Sequence, residues 1–179
     1  TLRLQLYSDY EAMDTDGIVS AVLDILCEES TLKGETNEVL TVRSSNDNIQ
    51  RILYNLFYDV LNIEFNLPMW IRSMCKYGDF FLKLDIAEKF GVYSARPLSV
   101  YDMIREEGQD PNNPSYIRFI YDPISVAGGT TATKNKEYFE NFEVAHFRLL
   151  TDTNYLPFGR SYVEPARKYF KQYTLMMDA

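Results

Sequence analysis

Two cysteines and a single histidine are the residues of this chain that could perform nucleophilic chemistry. A thiolate activated by an imidazole needs the sulfur and the ring in contact, with a third group that orients the base. Cys27 and Cys75 both lie in apolar helical patterns, where a free thiol is by default a buried packing residue. His146 lies in a strand pattern, on the face opposite Ala145 and Phe147. We interpret all three as structural residues. A Cys–His enzyme stays open as a hypothesis that predicts a reactive thiol and loss of activity in His146→Ala.

A glycine-rich segment over residues 128–134 comes nearest to a phosphate-binding loop. A P-loop has a Gly before its Lys and a Ser or Thr after it. Thr133 and Asn135 occupy these places around Lys134, and no buried strand leads into the segment. The sequence therefore does not predict nucleotide binding, and residues 123–137 are expected to form an exposed loop.

The acidic residues form neither a catalytic pair nor a metal site in this pattern. Glu28–Glu29 and Glu106–Glu107 are neighbours in sequence, so the side chains of each pair point in different directions and cannot act together on one substrate atom. Three others lack the Gly and the distal Glu of a calcium loop: Asp14, Asp16 and Asp24. We predict no catalytic residue, no cofactor and no metal.

The overall charge is acidic, with 18 basic and 26 acidic residues and a net charge of −8. Affinity for nucleic acid comes largely from basic side chains that neutralise phosphates, so this chain is a poor DNA clamp. A modest basic cluster near the C-terminus is either a solvated helix face or a contact for a partner or phosphate: Arg160, Arg167, Lys168 and Lys171. The two cysteines, and the lack of a signal peptide or a long apolar stretch, favour an intracellular, reducing compartment.

Apolar periodicity predicts four helices, over residues 16–29, 47–61, 66–77 and from 161 onward. The first has one polar stripe at Ser20, Asp24 and Glu28, and apolar side chains fill its other directions. A helix this apolar is covered on more than one side, either because it lies deep in the domain or because a second subunit covers it. Asn66 is the predicted N-cap of the third helix, and Gly78 ends it.

Alternating apolar residues predict strands over residues 39–43, 80–86, 90–95, 98–105, 116–121 and 144–150. The last helix begins with a predicted capping box, Ser161 to Glu164. No boundary divides the chain, so we predict a single domain over residues 1–179. Its fold class is α+β: N-terminal helices, an antiparallel hairpin sheet and a long C-terminal helix.

Three blocks of sequence resemble a known family. The first, residues 66–84, is a Pro-started helix bearing Trp70 that leads through Lys-Tyr-Gly-Asp79 into an aromatic strand. The second, residues 144–168, combines an Ala-His-Phe-Arg core, a Leu-Pro-Phe-Gly turn and a basic-aromatic helix from Ser161. The third, residues 10–30, contains Met-Asp and Glu-Glu-Ser sequences around the apolar helix.

In this order the blocks resemble the wing region of the portal proteins of tailed bacteriophages, the T-even type in particular. The resemblance implies a structural, non-enzymatic subunit of a homo-oligomeric, twelve-membered ring at the capsid vertex of the virion, assembled in the host cytoplasm. It implies contacts with the major capsid protein, the terminase large subunit and the neck and tail proteins. Double-stranded DNA would pass through the ring without sequence-specific binding, and no membrane is involved. Stem, clip and crown would lie in a longer chain of which this is a fragment.

The apolar helix and the 14 tyrosines suggest where subunits meet. The predicted subunit-interface residues are Val19, Val22, Leu23, Leu26, Trp70, Tyr169 and Tyr173. Val22→Asp is expected to abolish folding or assembly, because it would bury an unpaired charge. An intracellular adaptor domain that binds one protein partner outside any ring is the alternative, and it predicts a stable monomer.

Overall fold

The computed structural model describes residues 2–123 and 136–177 and forms two compact units. One unit contains the residues up to Asp79 and those from Arg148 onward, and the other is Phe80–Phe147. The prediction of a single domain over 1–179 stays a prediction. The glycine-rich segment 128–134 lies outside the described residues, as does most of the loop predicted over 123–137.

The described part of the first unit contains the α-helices, which are α1 Leu2–Asp14, α2 Gly17–Ser30, α3 Asp47–Tyr54, α4 Ile63–Tyr77 and α5 Glu164–Met177. A π-helical turn, Asn55–Val60, continues α3. Asp16 caps α2 and Asn46 caps α3, since each side-chain oxygen accepts hydrogen bonds from two backbone N–H groups. Gly78 ends α4 with a left-handed backbone, as predicted.

The sequence pattern misplaced several elements of this unit. α1 was not predicted, although Tyr7, Tyr10 and Met13 bury one of its faces. α4 begins upstream of Asn66, whose side chain instead donates a hydrogen bond to a preceding carbonyl. The strand predicted over residues 39–43 is wrong, because the backbone of that segment bonds to the Tyr58 hydroxyl rather than to another strand.

The start of α5 also differs from the prediction. The Ser161 hydroxyl accepts a hydrogen bond from the N–H of Val163, two residues on. The Glu164 carboxylate binds Tyr10 and Arg167 and is thereby drawn away from the expected capping box. The start of α5 therefore combines the local Val163–Ser161 bond with the contact between Glu164 and Tyr10 of α1.

Among the described residues, six strands form two small sheets. They are β1 Asp79–Ala87, β2 Gly91–Leu98, β3 Met103–Glu107, β4 Ile117–Tyr121, β5 Glu137–Glu140 and β6 Val144–Arg148. The strand orders are β2-β1-β6 and β3-β4-β5. β1 pairs antiparallel with β2, and β4 pairs antiparallel with both β3 and β5. β5 was not predicted, but the α+β class with antiparallel hairpins and a C-terminal helix is confirmed.

Aromatic packing forms the core of the second unit. Phe81 of β1, Met103 of β3 and Phe119 of β4 are fully buried. The Phe81 and Phe119 rings meet edge to face, with centroids 6.1 Å apart. These contacts join one sheet to the other inside this unit.

Candidate functional site

α2 exposes an apolar face that the described chain leaves uncovered. Ile18, Val22 and Ile25 follow one another at helical spacing, and their exposed fractions are 78%, 47% and 57%. The opposite side of α2 contacts α4, where the Cys27 thiol donates to the Pro68 carbonyl oxygen at 2.9 Å. Of the two explanations for so apolar a helix, deep burial within the domain is therefore wrong for this face.

The polar stripe of α2 faces α4, against the usual expectation that polar residues mark the solvent side. The Arg72 guanidinium of α4 donates to Asp24 at 2.6 Å and to the Ser20 hydroxyl at 3.1 Å. It also makes two bonds to Asp14 at the end of α1, at 2.9 and 3.1 Å. These bonds hold α2 with its aliphatic side turned outward.

The predicted interface residues divide into three groups by exposure. Leu23 and Trp70 are buried inside the chain, with exposed fractions of 0% and 8%. Val19 and Leu26 are half-buried at the margins of the outward face of α2. Val22, Tyr169 and Tyr173 are exposed. Their role as a subunit interface stays a prediction, and Ile18 and Ile25 join it as exposed neighbours that the pattern left out.

α5 carries Arg167, Lys168 and Lys171 of the predicted basic cluster, and acidic partners neutralise Arg167 and Lys171. Arg167 binds both Glu164 and Asp9, at 2.8 and 3.1 Å. Lys171 binds Asp9 at 2.6 Å. Burial opposes the ionisation of Asp9, but hydrogen bonds from Lys171, Gln5 and Arg167 outweigh it and lower the pKa of this carboxyl group. The pairing therefore keeps the carboxylate charged. Arg167 and Lys171 thus belong to an ion-pair network between α1 and α5, which disfavours the phosphate-contact alternative for these two residues.

The cysteines and the histidine are each engaged in packing. Burial raises the pKa of the Cys27 thiol and raises that of Cys75 to about 11, so both are protonated at neutral pH. The His146 ring stacks on Phe81 with centroids 4.1 Å apart, and its Nδ1 lies 3.3 Å from a guanidinium nitrogen of Arg105. Thiols held in this state are not nucleophiles, which disfavours the enzyme hypothesis.

A close backbone contact joins two of the resembling blocks, residues 66–84 and 144–168. The N–H of Leu149 donates to the carbonyl of Gly78 at 2.9 Å, and the Gly159 N–H donates to the buried Asp79 carboxylate at 2.9 Å. The Tyr7 hydroxyl donates to the same carboxylate at 3.0 Å. A Cβ on Gly159 would lie 1.9 Å from the Gly78 oxygen, so only glycine fits there.

This contact explains why the two blocks occur together in the chain. The Lys-Tyr-Gly-Asp end of α4 needs the Leu-Pro-Phe-Gly turn opposite it, because the two meet without side chains between them. The Leu156–Pro157 peptide bond of that turn is cis. Neither block contains a catalytic group that the other completes. Their pairing is architectural.

The comparison with known proteins agrees with these blocks. A sequence model of the family described as bacteriophage T4-like portal protein (Gp20) matches residues 3–179. The chain belongs to this family. No individually curated protein matches the sequence. Portal proteins of this family are structural components of the bacteriophage head–tail connector, and membership implies a homo-oligomeric ring at the capsid vertex.

Two further findings concern membrane spans and metal sites. None of the helices within residues 2–123 and 136–177 combines the length and the apolarity that a bilayer crossing requires. No group of His, Cys, Asp and Glu in the same described residues could hold a metal ion.

Sequence reasoning pointed to α2 of this portal protein but missed which side of the helix faces outward. The pairing of Ser20 and Asp24 with Arg72 was the missing signal. A polar stripe on an apolar helix can mark the side that forms an ion pair with a neighbouring helix as well as the solvent side.

Proposed function

We propose that this chain forms part of the wall of a portal ring through which double-stranded DNA is packaged into, and ejected from, a phage head. The observation that carries the proposal is the family match across residues 3–179. In this role the ring docks the terminase large subunit during packaging and the neck and tail proteins afterwards, and the major capsid protein surrounds it. It comprises about twelve copies and assembles in the host cytoplasm, as the family resemblance implies.

The proposed role is mechanical rather than catalytic. Both thiols are buried and protonated, and His146 is engaged by Phe81 and Arg105. The energy for packaging would come from ATP hydrolysis by the motor, and this chain would supply a fixed passage. The net charge of −8 supports that role, because an acidic wall does not hold the phosphate backbone of a sliding duplex.

The proposed contact between neighbouring subunits includes the outward face of α2. Complete burial of a fully exposed large aliphatic side chain contributes about 1.5 to 3 kcal/mol. Ile18, Val22 and Ile25 would each gain the share of this value that corresponds to their exposed fraction. The exposed Tyr169 and Tyr173 of α5 form a second apolar stripe that suits a partner surface. In a ring, every copy would bury these faces against its neighbours.

Negative-stain electron microscopy of the full-length protein tests the proposal. Rings of about twelve-fold symmetry with a central channel are the expected result. Small uniform particles at every concentration would contradict it and would favour the adaptor alternative, in which the exposed face of α2 receives one unrelated protein. Mass photometry across a dilution series provides an independent measure of the number of copies.

A further inference from the structure

An apolar groove runs between α1 and α5 in the first unit. Its walls include Ala12, Met13, Phe170 and Leu175, and its volume is about 320 Å³. An apolar cavity of about 150 Å³ holds a group the size of benzene, so the groove has room for roughly two large side chains. Nothing in the described chain fills it.

The rim of the groove is basic at one end. Arg167 and Lys171 line this end and pair with Asp9. Lys168 lies beside them on α5, is exposed, and has no ion-pair partner among the described residues. One cation is therefore available at this end for a partner that brings a carboxylate.

The outward face of α2 is complementary to this groove in length and charge. Ile18 and Ile25 are seven helical steps apart, about 10.5 Å, and Arg167 and Leu175 on the groove wall are eight steps apart, about 12 Å. Glu29 continues the same face one turn beyond Ile25, and it has no ion-pair partner in the described part of the chain. The aliphatic face thus ends in a carboxylate, and the exposed Lys168 follows Arg167, which lines the basic end of the groove.

We propose that the outward face of α2 in one subunit occupies the α1–α5 groove of the next, antiparallel to α5, with Glu29 near Lys168. This inference rests on the proposed ring and names its mating surfaces. A closed ring requires a heterologous contact, in which two different patches of the same chain meet. A contact of α2 with α2 would be isologous and would close at a dimer.

Cysteine crosslinking in the full-length protein tests the contact directly. Val22→Cys and Leu175→Cys introduce exposed thiols on the two surfaces, while the native Cys27 and Cys75 are buried and provide an unreactive background. With a short bis-maleimide, the double variant is expected to give a ladder of covalent oligomers up to the full ring. Each single variant is expected to stay monomeric on a denaturing gel.

Charge exchange provides a second, independent test. Glu29→Lys or Lys168→Glu alone is expected to raise the concentration needed for half-assembly by at least about fivefold, and the double exchange to restore assembly. Glu88→Lys and Lys89→Glu, both exposed at the turn between β1 and β2, are the matched controls and should leave assembly unchanged.

The outcomes separate this inference from the proposed function. Intact rings without a crosslink in the double variant would overturn the α2–groove contact and leave the portal ring in place. A covalent dimer from Val22→Cys alone would show an isologous contact and would also overturn it. Absence of rings in the unmodified protein would contradict the proposed function itself.

Discussion

Asp14 lies between two cations where α1 meets α4. Hydrogen bonds from Arg72, with Lys76 at 2.9 Å, outweigh burial and hold the pKa of Asp14 at about 2, below the 3.8 of a free aspartate. A carboxylate whose pKa is depressed by folding contributes stability above its unfolded pKa, and that stability is lost as the pH falls toward its folded pKa. The contribution of Asp14, about 2 kcal/mol, should therefore disappear between about pH 4 and pH 2.

Denaturant unfolding as a function of pH measures this contribution. Asp14→Asn is expected to lower the free energy of unfolding by about 2 kcal/mol at pH 7 and to flatten its decline between about pH 4 and pH 2. Glu88→Gln, at an exposed turn, is the control and should leave the profile unchanged. An Asp14→Asn profile as steep as that of the parent would show that other carboxylates dominate the acid response.

Gly159 is the second residue on which the first unit depends. A methyl group there would overlap the Gly78 carbonyl, and the atoms it meets are backbone atoms that cannot rotate away. Gly159→Ala is therefore expected to destabilise the protein by about 3 kcal/mol or more, through overpacking and loss of the bond to Asp79. Thermal unfolding checks this, with Gly17→Ala as the control.

Gly17→Ala is expected to keep the stability of the protein or to raise it. A Cβ on Gly17 meets nothing within 4 Å, and the residue begins α2. Alanine should therefore be neutral or stabilise the helix by up to about 1 kcal/mol. If Gly159→Ala is as stable to heat as Gly17→Ala, the backbone contact at Gly159 can relax to accept a methyl group.

At the scale of elements, α2 is anchored on one side and bare on the other. Val22 is 47% exposed, so a charge there meets solvent in the isolated chain and becomes buried only when another surface covers α2. Val22→Asp is therefore expected to fold with near-parent stability and to fail in assembly. The sequence predicted a defect in either folding or assembly, and the exposure of Val22 favours assembly. Val22→Thr, similar in shape and uncharged, is expected to assemble.

Circular dichroism and electron microscopy of the same samples check this prediction. A folded Val22→Asp variant that forms normal rings would show that this face of α2 is in contact with water in the assembly. An unfolded variant would place Val22 in the core, against its observed exposure.

The elements that could be predicted from the sequence are those that carry their own boundaries. α2 and α3 follow from apolar spacing, and the end of α4 follows from Gly78. The N-cap of α2 was predicted at Asp14 or Thr15, which is wrong because Asp16 caps this helix, and Asn46 was not predicted as the N-cap of α3. α1 was missed because its buried residues are mostly tyrosines, whose hydroxyls reach Asp79 and Glu164 far along the chain. The false strand over 39–43 has the right composition but no strand to pair with, and pairing is a long-range property.

For the candidate site, too, local patterns could be predicted from the sequence and contacts between distant residues could not. Apolar spacing predicted that α2 is covered on more than one side, either deep in its domain or by a second subunit, because it has more aliphatic residues than one packed side needs. Which side faces outward depends on Arg72, nearly fifty residues away, and no local pattern contains that contact. The α1–α5 groove was missed for the same reason, since its walls come from opposite ends of the chain.

At the scale of the whole molecule, affinity for DNA depends more on how the charges are distributed than on the net charge of −8. Many cations of the described chain are held in ion pairs with carboxylates, including Arg72, Lys76, Lys83, Arg96, Arg118, Arg167 and Lys171. A cation already paired releases few counterions from DNA, so it adds little to affinity. The surface should therefore repel a duplex weakly along its length rather than hold it at particular points.

Fluorescence anisotropy of a labelled duplex tests this property in the full-length protein. No binding is expected at about 0.15 M salt, and lowering the salt should leave the signal nearly flat, because few phosphates would be neutralised. The same protein with an added oligolysine tag is the positive control and should bind with a steep salt dependence. If the untagged ring binds the duplex tightly, with an affinity that falls by several decades as the salt concentration rises, the proposal of a passage that lets DNA slide is contradicted. The exposed Lys168 and its basic neighbours would then be candidates for phosphate contacts.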